Sequence, residues 1–497
     1  MIFYLLFGID GERRLVKKEM IGGLTMFIGK TVPFVRAFVD EVDHALRQIE
    51  PEAGLSRLQR EWIGFCLVAI MVTNSVCWKR FERASLGRRS HASLSWMFRR
   101  TSRFWTVVLQ ASVSIILARY GIKEGVLVVD DSDKKRSKQT TRIYKAHKVK
   151  DKKSGGFMNG QNFVLVLLVT PKVTMPVSVE FYLPDPTLTA WKQEDKRLKQ
   201  QGVPKQNRPA IPAQNPNYPT MLEIALRLLK AFHTAFPQVV IRCVLADNLY
   251  GTEEFLDTAS AMFDGVQVIS KLRNNQNLRF QGKTVGVSTF FTRYPGVRQM
   301  IQLRGGEQVT VWVRGARVHV CAHGTKRFVI ALKYEGENEY RYLVAADMSW
   351  RHLDIVQAQT LRWLVEVFFQ DWKAYEGWGQ LTKQPDEEGS RRSLILSLLC
   401  DHCLLLHPAQ LARIEDNLPA WTVGSLRDRV TVESVVQCIQ DILSSEHPQE
   451  QFELMAQHAK EVFTLNASSK HMVGRDLGRL QPTPSLEYRA KVAMNAA

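Results

Sequence analysis

Gly125-Val126-Leu127-Val128-Val129-Asp130-Asp131-Ser132-Asp133 is an uninterrupted apolar run that ends in acids. Its length and β-branched content predict a strand buried on both faces, as at the centre of a sheet. Two further strand candidates follow, Phe163–Thr170 and Met175–Tyr182, with Pro171-Lys172 as the turn between them. Strands joined this closely predict an antiparallel meander. An amphipathic helix at Met221–Phe236 then leads into Val239–Asp247, a second buried strand with an acid at its end, and Thr252–Met262 and Val266–Ser270 read as one more helix and strand. The fold class is α/β. In a mixed sheet of order 3-2-1-4-5 the first and fourth strands are neighbours, so their terminal acids come within reach of each other.

Working outward, residues 27–118 carry apolar residues at helical spacing, and residues 79–104 interleave arginines with Phe81, Trp96, Phe98 and Phe104. A basic tract, Lys134 to Lys153, contains eleven Lys, Arg or His residues. Residues 183–219, rich in Pro, Gln and Lys, read as a loop. Residues 280–345 alternate Thr, Val, Tyr and Gly and predict a β-rich insertion, bounded at about 275–347, before helices return. The helix after the insertion contains Leu361-Arg362-Trp363-Leu364-Val365-Glu366-Val367-Phe368-Phe369-Gln370-Asp371-Trp372-Lys373. At 3.6 residues per turn Arg362, Glu366 and Lys373 lie near one face. Alone, Arg362 and Glu366 read as an ordinary i,i+4 ion pair worth a few tenths of a kcal/mol.

The 497-residue chain has ordinary hydrophobic (45%) and charged (23%) fractions but a net charge of +18 and a pI near 9.6. Basic residues spread from Arg13 to Arg489, which favours extended contact with a polyanion, nucleic acid before a membrane surface. The seven scattered cysteines form no disulfide framework and fit a reducing cytosol; Cys400 and Cys403 read as small core residues rather than zinc ligands. Residues 62–78 lack charge, yet Thr73, Asn74 and Ser75 interrupt them, so a buried helix is expected rather than a membrane span.

The acids Asp130, Asp247 and Glu366 thus fall at two neighbouring strand ends and on a helix able to pack across them. Three converging carboxylates suit two Mg²⁺ ions, which activate a water or 3′-hydroxyl and stabilise the leaving oxygen of a phosphodiester. At this point the chain resembles the DDE transposases of bacterial insertion sequences, in the insertion-sequence-four branch with a Tyr-x2-Arg-x3-Glu-x6-Lys signature. The resemblance rests on Val126–Ser132, Val244–Gly251, Phe181–Pro186 and Tyr342–Trp350, leading into the 361–373 helix. It covers about residues 120–380.

The resemblance implies a ribonuclease-H-like catalytic domain over 119–390, a helical DNA-end-binding region over 1–118, and a helical C-terminal region over 391–497 that holds a synaptic homodimer. It makes Asp130, Asp247 and Glu366 the metal-binding triad, with Asp131 in reserve, and Mg²⁺ the cofactor, with Mn²⁺ able to substitute. Arg362 and Lys373 become phosphate contacts, joined by Lys134, Lys135 and Arg136 of the basic tract. Gln359 stands where the family carries tyrosine. Trp312 and Trp350 are candidates to receive a flipped base, against a simpler reading as packing residues. The implied activity is cut-and-paste transposition: binding of terminal inverted repeats on double-stranded DNA, 3′-strand hydrolysis, then strand transfer, in the bacterial cytoplasm at the nucleoid. A domesticated DNA-binding protein and a stand-alone ribonuclease-H-like nuclease are the competing readings.

Overall fold

Among the described residues five α-helices precede the sheet: α1 (Pro33–Ile49), α2 (Arg57–Thr73), α3 (Trp78–Ala84), α4 (His91–Arg100) and α5 (Phe104–Tyr120). The structure is a computed structural model that describes residues 31–463, apart from 101–103, 137–142, 152–154, 304–305 and 381–385. The first thirty residues, the C-terminal tail and parts of the basic tract lie outside the described residues. Helix α2 starts in a capping box between Ser56 and Gln59, and every residue from Trp62 to Met71 is buried. The uncharged stretch is therefore a core helix, and among the described residues no single helix is long and apolar enough to cross a membrane.

The sheet begins with β1 (Glu124–Lys135), β2 (His147–Lys150), β3 (Phe157–Val169) and β4 (Thr174–Tyr182). Strand β1 runs antiparallel to β3, with Asp130 opposite Leu165, and β3 pairs on its other side with β4 and the short β2. The stretch expected as a loop opens instead with helix α6 (Pro186–Gln200), which Asp185 caps through the Thr187 and Leu188 amides with Pro186 at its first position. After α7 (Met221–Ala235) come β5 (Val240–Ala246), α8 (Glu253–Met262) and β6 (Gln267–Leu272). Strand β5 is parallel to β1, Val129 opposite Ala246, and β6 is parallel to β5.

The strand-rich segment expected as an insertion is continuous with this sheet. It comprises β7 (Asn277–Phe280), β8 (Lys283–Gly286), α9 (Val287–Arg293), β9 (Val297–Gln302), β10 (Gln308–Val320), β11 (Thr325–Tyr334) and β12 (Arg341–Ala345). Strand β12 pairs antiparallel with β6, and β11, β10 and β7 follow outward, so the described residues build one twelve-stranded sheet. Then come α10 (His352–Thr360), α11 (Trp363–Tyr375), α12 (Glu387–Leu405), α13 (Pro408–Glu415), α14 (Val423–Leu443) and α15 (Pro448–Val462).

Strand parity sorts the central side chains into two cores. Val128, Leu165, Leu167, Cys243 and Leu245 join a cluster with α1, α2, α11 and α12. Leu127, Val129, Val166, Val244 and Ala246 join the other, with α7 and α8. Helix α11 is seated on the first face through Val365, Phe368, Phe369 and Trp372; the Phe163 ring of β3 lies 5.9 Å from Trp372 and 4.9 Å from Trp378. Cys400 and Cys403 are buried in α12, and all seven cysteines are free.

Candidate active site

Strand β1 does not end at Asp130 but runs five residues further, to Lys135. Its period of two continues with it, so Asp130, Ser132 and Lys134 are buried, and Arg136 just beyond is buried too. Asp130 shares its parity with Val128 and so faces α11, whereas Asp131 shares that of Val129 and lies on the Tyr250 side. The three cations at 134–136 accordingly do not form one DNA-facing patch. Lys134 Nζ donates to the carbonyl of Trp378 and, at 2.7 Å, to that of Gly379, while Arg136 Nε donates to Gln161 Oε1 at 2.8 Å. Burial, with Arg136 and then Lys373 nearby, pulls the Lys134 amine down to about 8. Only Lys135 points outward.

The expected helix through Arg362, Glu366 and Lys373 starts one residue after Arg362, and Gln359 belongs to a separate helix before it. Helix α10 closes at Thr360, and Arg362 is the N-cap of α11, joined through i→i+3 bonds from Leu364 N to Leu361 O and from Val365 N to Arg362 O. This break turns the Arg362 side chain into the acids. Its Nη1 donates to Asp130 Oδ2 at 2.9 Å and lies 3.9 Å from Asp247 Oδ1, and its Nη2 lies 3.9 Å from Glu366 Oε1. The i,i+4 pair with Glu366 is thus the looser contact and Asp130 the close one. One guanidinium gathers carboxylates from β1, from the end of β5 and from α11. With its side chain 11% exposed, Arg362 is committed to them.

The environments of the three acids differ. Asp130 is buried, and burial pushes its carboxyl up to about 7, against the pull of Arg362 and of the Asp131 amide that its Oδ1 accepts at 2.8 Å. At Asp247 burial also raises the carboxyl, but Lys271, whose Nζ lies 2.9 Å from Oδ1, and Arg362 together hold it below the usual range. Glu366 is about half exposed, its side chain at 47%. Lys373 is exposed, with Nζ 5.1 Å from the Phe369 ring centroid. Gln359 is half-buried, and its Oε1 has no hydrogen-bond partner among the described residues. Trp312 is partly exposed on β10, and Trp350 lines a cavity of about 530 Å³ with Arg317, Phe328 and His352.

The donor set of the three acids is oxygen only, which fits a hard divalent cation. Among the described residues, however, no three His, Cys, Asp or Glu side chains are disposed around one metal position, since Arg362 lies between the carboxylates. Lys271 was missed in the sequence because one lysine after a strand carries no signal in a chain this basic.

The family described as DDE superfamily endonuclease matches residues 53–293, which include Asp130 and Asp247 and stop short of Glu366. Residues 53–293 are therefore similar to a DDE superfamily endonuclease domain, a class of nuclease whose members generally use divalent metal ions. No curated protein matches it. Among solved structures it is similar to the transposase of a piggyBac synaptic complex with hairpin DNA, at 9% identity and a TM-score of 0.43, covering 90% of this chain and 88% of that one.

Proposed function

We propose that the chain is a DNA transposase of the insertion-sequence-four type that binds terminal inverted repeats, hydrolyses the 3′ strands and joins them to target DNA. The observation that carries this reading is the convergence of Asp130, Asp247 and Glu366, from three distant segments, on the Arg362 guanidinium. These carboxylates would hold two Mg²⁺ ions, which supply an activated oxygen nucleophile and stabilise the leaving oxygen. The chain's own residues orient the acids. The Asp131 amide fixes one Asp130 oxygen, Lys271 holds Asp247, and the aromatic seat of α11 sets the height of Glu366. Lys373 and Lys135, both exposed, would meet phosphate.

Pairing of two ends asks for a homodimer on double-stranded DNA, and the helices after residue 391 would hold it. The test is a gel assay with DNA carrying the sequences that flank the reading frame. Wild-type protein should cut and join; Glu366→Gln should bind the ends and do neither, and an active Glu366→Gln variant would sink the proposal. Binding without cleavage by the wild type would instead mark a domesticated DNA-binding protein, and cleavage without joining a stand-alone nuclease.

A further inference from the structure

The end of β6 is pressed against Asp247. Ser270 Oγ donates to the Asp247 main-chain oxygen at 2.7 Å, and Lys271 Nζ reaches its Oδ1 at 2.9 Å. A Cβ on Gly251 would come within 2.6 Å of the Lys271 carbonyl, so the close approach of the turn after Asp247 to the Lys271 backbone requires glycine there. The side chain has more freedom. The two cations that touch Asp247 differ in this respect: Arg362 is 11% exposed and shared among three acids, whereas Lys271 is 39% exposed and touches one. Lysine carries a compact ammonium on a flexible four-carbon stem. An ammonium and a divalent cation compete for the same oxygen, and the exposed, singly bound group is the one that yields. Having yielded, Lys271 remains tethered at the solvent side of Asp247.

We propose that Lys271 is a positioning residue that exchanges partners, releasing Asp247 Oδ1 to a divalent cation and taking a DNA phosphate oxygen in its place. The inference rests on the reading of Asp247 as a site acid, and it involves no covalent step. It predicts effects of opposite sign, which a merely structural lysine would not give. In the full chain without DNA, Lys271→Met should bind Mn²⁺, followed by electron paramagnetic resonance, about two- to fivefold more tightly, because a competing cation from a partly exposed side chain is gone. With Ca²⁺ present, the same variant should bind a generic-sequence DNA duplex more weakly, with a salt slope smaller by about one. Lys271→Arg should restore duplex binding. Unchanged or weaker Mn²⁺ binding by Lys271→Met overturns the proposal, as does unchanged duplex binding. Asp247→Asn separates the two claims. If it keeps wild-type Mn²⁺ affinity, the reading of Asp247 itself fails. If it loses Mn²⁺ while Lys271→Met behaves as wild type, only the exchange fails.

Discussion

Helix α11 touches two sets of carboxylates, and they are handled in opposite ways. Toward its N-terminal end, Asp130, Asp247 and Glu366 surround Arg362, with Lys271 as a second cation on Asp247. At its C-cap, Glu376 is fully buried beside Asp401 of α12. Burial, then Asp401 and Asp371, push Glu376 well above the usual carboxylate range, and burial followed by Asp371 raises Asp401 as well. No salt bridge forms at either Glu376 or Asp401 among the described residues, so protons rather than cations neutralise the pair. A carboxylate set becomes a candidate for metal and phosphate chemistry when cations reach it and part of it faces solvent, as Asp247 and Glu366 do, even where burial still raises one member, Asp130. A buried pair with raised carboxyls and no cation on it reads as structure.

The largest effect expected from this contrast is at Asp130. Asp130→Asn should lose strand cleavage by roughly a thousandfold, as for removal of a central electrostatic group, measured on flanking-end DNA. The same substitution should not destabilise the fold above neutrality. The folded carboxyl sits at about 7 against an ordinary value near 4, so its stability contribution is full below about pH 4 and is lost as pH rises through about 7. A large stability loss for Asp130→Asn at about pH 8 would break the comparison.

Next in size is the pH dependence of the second set. Both folded values are raised, so wild-type stability should fall as pH rises above the ordinary carboxylate range. Glu376→Gln should remove a few kcal/mol of that loss, read as urea midpoints at about pH 5 and pH 9. A parallel pair of curves would show that the two acids do not share a proton. Lys134→Met comes third. It strands the Trp378 and Gly379 carbonyls close to Glu376 and should cost about 1–3 kcal/mol in urea unfolding. Smallest is Glu366→Gln, half exposed and loosely paired, which should change stability by no more than about 0.5 kcal/mol while abolishing activity.

Much of the sheet was legible because β1 and β5 are apolar runs whose length and β-branching leave little choice, and each has an acid at or near its end. The positions of Asp130 and Asp247 follow from that local pattern. What escaped was anything set by distant contact. Lys134 and Arg136 read as phosphate contacts in a basic tract, although the strand's period of two, carried past Asp130, turns them inward. Arg362 read as the partner of Glu366 because helical spacing pairs neighbours in sequence, whereas its closest partner is 232 residues away. The insertion read as a separate piece because no sequence pattern reveals that Arg341–Ala345 would align with Gln267–Leu272. Asp185 followed by Pro186 was the overlooked signal for α6.

The contact between Arg362 and Asp130 also sets a clock on synthesis. A ribosome adding about 5–20 residues per second needs roughly 12–46 seconds to cross the 232 positions between them. Through that interval the emerging polypeptide holds Asp130 without its arginine, and a product released early never acquires it. The protein therefore passes its growth tethered to its messenger with the candidate site unassembled, and gains it only after most of its length has left the ribosome.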